Sequence, residues 1–138
     1  MRQLDRFALT QGVLSALMVV VPALALNAFL TRDGRESGLT FVLFLLSFGG
    51  WVLGAGVAAW VQQRNTPYTH GVVAALIAWA VPQLVLIVID LDDDGTNWLS
   101  VFTFATFVMF AGVLGGVFGN RLQSRGVLPS VIRDREAS

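Results

Sequence analysis

Four apolar segments, each free of ionisable side chains, constrain this chain more than any other feature. They are residues 7–30 (FALTQGVLSALMVVVPALALNAFL), 38–61 (GLTFVLFLLSFGGWVLGAGVAAWV), 71–89 (GVVAALIAWAVPQLVLIVI) and 98–119 (WLSVFTFATFVMFAGVLGGVFG). None contains Asp, Glu, Lys, Arg or His. A bilayer-spanning helix needs roughly 20 mostly apolar residues, and each segment meets that length. A buried soluble helix can also be apolar all round. In a chain of 138 residues with only 13% charged, however, no polar shell remains to cover four of them. The segments therefore predict an all-α integral membrane four-helix bundle within residues 1–125, followed by a cytoplasmic tail, 126–138, without fixed structure.

The orientation follows from the arginines, since cytoplasmic loops collect positive charge. With the N-terminus inside, Arg2, Arg6, Arg64, Arg121, Arg125, Arg133 and Arg135 lie inside, and only Arg32 and Arg35 lie outside. Both termini are thus predicted to be cytoplasmic. Trp60 and Trp98 fall near opposite membrane faces, where interfacial aromatics are enriched. The start of the chain, with Arg2 and Arg6, an apolar run and Ala23-Leu24-Ala25, resembles a cleavable signal peptide. The run is too long for one, and its repeat partner is internal.

The two halves of the chain resemble each other at a spacing near 60 residues. Gly12, Val13, Ala16 and Leu17 match Gly71, Val72, Ala75 and Leu76, and Pro22 matches Pro82 after one insertion. VLGAGVAAWVQQR at 52–64 aligns without gaps to VLGGVFGNRLQSR at 113–125, identical at five of thirteen positions. Asp33-Gly34 falls on Asp94-Gly95. The pattern predicts duplicated helical hairpins, residues 7–64 and 70–125. Both hairpins enter from the same side, as a parallel repeat about an axis along the membrane normal.

Helix 2 carries Gly50, Gly54 and Ala58 at four-residue spacing. Their repeat partners in helix 4 are Ala111, Gly115 and Gly119, and Gly112 and Gly116 form a second pair. Small residues at this spacing share one helix face and let two backbones approach closely, which matters where lipid supplies little hydrophobic drive. Helices 2 and 4 are expected to meet through these ridges, or to use them for homodimerisation. Pro22 and Pro82 are expected to kink helices 1 and 3. Gln83 is expected to bond a carbonyl freed by Pro82 or a neighbouring helix.

The residues argue against catalysis. The chain has no Cys and one His, which excludes disulfides, thiolate metal sites and cysteine nucleophiles, and leaves His70 without a second imidazole for a metal. His70 reads as an interfacial or helix-start residue. No ionisable residue lies inside the segments, which counts against a proton-coupled pump. A channel lined by Ser47, Thr103 and Thr106 would be compatible with the composition, but nothing in the sequence favours it. The glycines lack the strand–turn–helix setting of a phosphate loop, and no basic patch beyond the tail suggests nucleic acid. The first tail arginines suit an anionic inner leaflet.

The stretch IDLDDDGTNW, residues 89–98, is the one motif with metal-site overtones. Asp90, Asp92, Asp94 and Gly95 match the opening of a calcium-binding helix–loop–helix loop. The twelfth position, where that loop needs a bidentate Glu, is Val101. The aspartates are therefore a weak candidate cation loop. Their clearest role is to hold an Asp-Gly turn out of lipid.

The G-x-x-x-G-x-x-x-A run followed by Gln62-Gln63-Arg64, the loop ending His70-Gly71, and the second Gly-rich helix ending Asn120-Arg121 resemble a loose group of small four-helix bacterial membrane proteins without assigned activity. The resemblance implies a plasma-membrane location and no catalytic residues. The reading is thus a multi-pass, non-enzymatic membrane protein without a cofactor, acting as an accessory or scaffold subunit. Its partners would be the lipid bilayer and a homodimer or another membrane protein. The alternative is a small transporter or channel acting as a homodimer.

Overall fold

The computed structural model describes residues 4–32, 38–89, 97–127 and 129. It holds four helices: α1 Arg6–Leu30, α2 Thr40–Val61, α3 Pro67–Ile89 and α4 Trp98–Ser124. All four are long and apolar enough to cross a membrane. Asp33-Gly34, Asp90–Asp94 and the last nine residues of the tail lie outside the described residues. α1 and α3 run unbroken through Pro22 and Pro82.

The helix ends show why they fall where they do. Asp5 caps α1, its Oδ1 accepting the N–H of Phe7 at 3.1 Å and of Ala8 at 3.2 Å. Asn97 caps α4 through Ser100 N–H at 3.2 Å. α4 runs one turn past the apolar segment and stops at Gly126, whose φ is +71°. Gly126 N–H donates to Gln123 O and Val127 N–H to Leu122 O, the paired bonds of a glycine-terminated helix.

α2 is the central helix. In its most apolar stretch 39% of residues are buried, against 17% in α1. α2 packs on α1, α3 and α4, and α3 packs on α1 and α4. Among the described residues, α1 and α4 stand at opposite corners with at most marginal contact. A two-fold axis along the membrane normal would make the α2–α3 and α1–α4 pairs equivalent. The bundle does not have that symmetry: the hairpins lie side by side, with α1 next to α3 and α2 next to α4.

Packing is uneven along the bundle. At the end that carries Asp5, the α2–α3 loop and Ser124, the helices meet through rows of small residues. α1 buries Ala8, Gly12, Ala16 and Val20, and α3 buries Gly71, Ala74, Ala75 and Ala78. Beyond Ala78 in α3 and before Val108 in α4, no side chain described is fully buried. The bundle is therefore tight at this terminal end and splayed at the distal end. Trp51, 3% exposed, sits where the two regimes meet, packed with Val20, Ala78 and Val108.

Candidate functional site

The small-residue ridges lie in the tight half, and each has a definite neighbour. Gly54 faces α1: a Cβ there would collide with the Gly12 carbonyl and lie 2.5 Å from Ala16 Cβ. Gly12 in turn abuts Gly54 and Ala58, and Gly50 abuts Val19 and Val20. Gly115 and Gly119 face α2, but against Val52, Ala55, Gly56 and Ala59. The expected meeting of Gly54 with Gly115 is thus replaced by two separate seams, because α2 carries small residues on two faces. Gly112 and Gly116 form a third seam, against Gly71, Val72 and Tyr68 of α3. Ala111 is fully buried in the mid-bundle core.

A polar cluster closes the terminal end. Gln62, immediately after α2, is fully buried. Its Oε1 accepts Arg64 N–H at 2.7 Å and Thr66 N–H at 3.2 Å, and so shapes the α2–α3 loop. This loop includes Asn65 at φ +57°, a left-handed conformation that Asn tolerates better than most residues. Gln62 Nε2 donates to Gln123 Oε1 at 3.2 Å, and Gln123 Nε2 donates back to Gln62 O at 2.6 Å. Beside them, the Trp60 indole N–H donates to Val127 O and ties the residues after α4 onto α2.

His70 belongs to the same end and stands at a helix start, one of the two positions expected for it. It sits in the first turn of α3, fully buried. The Asp5 backbone N–H donates to Nε2 at 2.8 Å. A backbone N–H can only donate, so Nε2 carries the lone pair and Nδ1 carries the proton. Nδ1 then donates to Thr66 O at 2.9 Å. The ring bridges the start of α1 to the start of α3, and both nitrogens are used. Among the described residues no group of three His, Cys, Asp or Glu could hold a metal.

The distal end holds a partly open cavity of about 220 Å³ between all four helices. Its wall is mostly apolar, with Leu43, Phe44, Trp79 and Phe104 prominent, and includes Ser47, Pro82 and Gln83. Phe44 meets Phe104 edge-on at 6.1 Å between ring centroids. Two polar atoms of lining residues, Asn27 Oδ1 and Trp51 Nε1, are buried without a hydrogen-bond partner. Among the described residues, no ionisable side chain lines the cavity. Of the hydroxyls that a channel reading would place on a pore, only Ser47 lines it. Thr103 and Thr106 are exposed and donate to Leu99 O and Phe102 O of their own helix.

Sequence reasoning named Gln62 only within the Gln62-Gln63-Arg64 run and gave Asn27 and Trp51 no role. The Gln62–Gln123 pair had left a trace in the aligned repeat, where the two occupy matching positions. Asn27 was legible only as one of two amides, with Gln11, in the first apolar segment.

The fold defines a class: an all-α four-helix bundle whose helices can each cross a membrane. No protein family, curated protein or solved structure matches the chain.

Proposed function

We propose that the chain is a non-enzymatic, multi-pass protein of the plasma membrane, acting as an accessory or scaffold subunit for a membrane-protein partner. The observation that carries this reading is the closure of the terminal half. Gly12 on Gly54, Gly71 on Gly112 and Gly115 on Val52 bring helix backbones into direct contact, and the Gln62–Gln123 and Asp5–His70 bonds seal the end behind them. A pore needs a continuous polar or open path, and backbone contact along three seams works against one through a single chain. The absence of ionisable side chains from the four apolar segments points the same way.

A second reading, a small transporter acting as a homodimer, draws on the distal cavity. It requires the small-residue seams to open or the path to run between chains. Purification of tagged protein in mild detergent, with identification of co-purifying chains, separates the two. A stoichiometric membrane partner is the expected result. A lone homodimer that carries solute in liposomes would overturn the accessory reading.

A further inference from the structure

We propose that the distal cavity is a binding site for a neutral hydrophobic small molecule, of the size of a substituted benzene, bearing one group that both donates and accepts a hydrogen bond, such as a hydroxyl or carboxamide. The inference stands apart from the accessory reading, because ligand binding and partner capture are measured separately.

Size comes first. An apolar cavity of roughly 150 Å³ binds benzene, and this one measures about 220 Å³. It has room for an aromatic ring and a polar substituent, but not for a large headgroup. The aromatic and aliphatic wall, with Phe44, Trp79 and Phe104, suits such a ring.

Polarity narrows the class further. The Trp51 indole nitrogen is donor-only and Asn27 Oδ1 is an acceptor, and both are buried without a protein partner. Trp51 is 3% exposed, so its N–H cannot turn to bulk solvent. A lipid acyl chain offers neither atom anything. A hydroxyl or carboxamide has the complementary chemistry, able to accept from an indole N–H and to donate to an amide oxygen. Among the described residues no charge lines the cavity, and an ionised ligand beside these side chains would be desolvated without a counter-ion. Access lies along the splayed parts of α3 and α4, where side chains after Ala78 and before Val108 are not fully buried.

The test uses the full chain in detergent micelles with ¹⁵N-labelled tryptophan indoles, the Trp51 resonance being assigned through W51F. It is titrated with p-cresol and, separately, toluene, at matched mole fraction in the micelle. The two probes share a ring and differ in the hydroxyl. Saturable movement of the Trp51 N–H resonance is expected, with p-cresol half-saturating at a mole fraction lower than toluene's by about tenfold or more, as for two added hydrogen bonds. N27L should reduce that preference, since the Trp51 N–H remains as a donor, while still binding toluene. No saturable shift with p-cresol, or equal response to both probes in the unmodified chain, would overturn the proposal and mark the cavity as filled by water or lipid alone. The comparison in the unmodified chain decides the matter even if N27L fails to fold.

Discussion

Gln62 and Gln123 exchange hydrogen bonds across α2 and α4, side chain to side chain at 3.2 Å and side chain to backbone at 2.6 Å. They stand 61 residues apart, the same offset that aligns 52–64 with 113–125. The two helices therefore run parallel with matching ends level. Gly119 against Ala59 and Trp60, and Gly115 against Ala55 and Gly56, keep nearly the same register. Resemblance in sequence and adjacency in space coincide for α2 and α4, even though the bundle as a whole lacks a two-fold.

Removal of the two glutamines should not be equivalent. Q62L strips partners from Arg64 N–H, Thr66 N–H and Gln123 together. Q123L leaves the loop bonds intact. An unmet buried polar group costs about 1–3 kcal/mol, so Q62L should cost about 2–4 kcal/mol and Q123L about half as much. The double variant should cost less than the sum, as expected for residues in one network. Reversible unfolding in mixed micelles with increasing dodecyl sulfate, followed by circular dichroism, reads all three.

The glycines of α2 should separate by neighbour. A Cβ at Gly54 meets the backbone and Cβ of α1, whereas one at Gly56 has its nearest contact at 3.5 Å and one at Gly49 meets nothing within 4 Å. Overpacking of a close seam costs about 1–3 kcal/mol, while Gly to Ala in a free helix interior gains up to about 1 kcal/mol. G54A should therefore destabilise, G49A should be neutral or stabilising, and G56A should be tolerated. A dodecyl sulfate unfolding series across the three checks the order.

The helices were legible because their signal is local: an uncharged apolar run of the right length can do little else. The four-residue glycine spacing was legible too, but its neighbour was not. α2 carries Gly50, Gly54 and Ala58 on one face and Ala55, Gly56 and Ala59 on another, so spacing alone could not say which face meets α4. The Ala8–Gly12–Ala16 row that receives Gly54 has a single glycine and so gave a weak signal. His70 was expected at an interface or a helix start and does stand in the first turn of α3, but its burial was not legible because it depends on Asp5, 65 positions away. The cavity was beyond reach, since it arises from the splay of α3 and α4 and from the burial of Trp51.

His70 should hold α1 and α3 together through a fixed tautomer. Nitrogen NMR on ¹⁵N-histidine protein should give a protonated Nδ1 and a bare Nε2, because Asp5 N–H donates to the latter. H70F keeps the bulk but leaves Asp5 N–H and Thr66 O without the ring, and should cost about 1–3 kcal/mol. D5A removes the helix cap but keeps the backbone N–H to His70, so it should cost about 1 kcal/mol. It should also leave the imidazole nitrogen signature unchanged.

The residues that follow α4 should be part of the folded unit. Gly126 turns the chain so that Val127 O accepts the Trp60 indole N–H, and Pro129 is buried. Gly126 sits at φ +71° with open space around it, so replacement there strains the backbone without steric clash. G126V should cost about 1–2 kcal/mol through the left-handed conformation alone. It should also shift the Trp60 indole resonance as Val127 moves away. W60F, which removes the indole donor and part of the ring but leaves the backbone unstrained, should cost less than G126V. A truncation after Pro129 that keeps the Trp60 resonance in place, and one after Arg125 that moves it, would together assign the contact to residues 126–129.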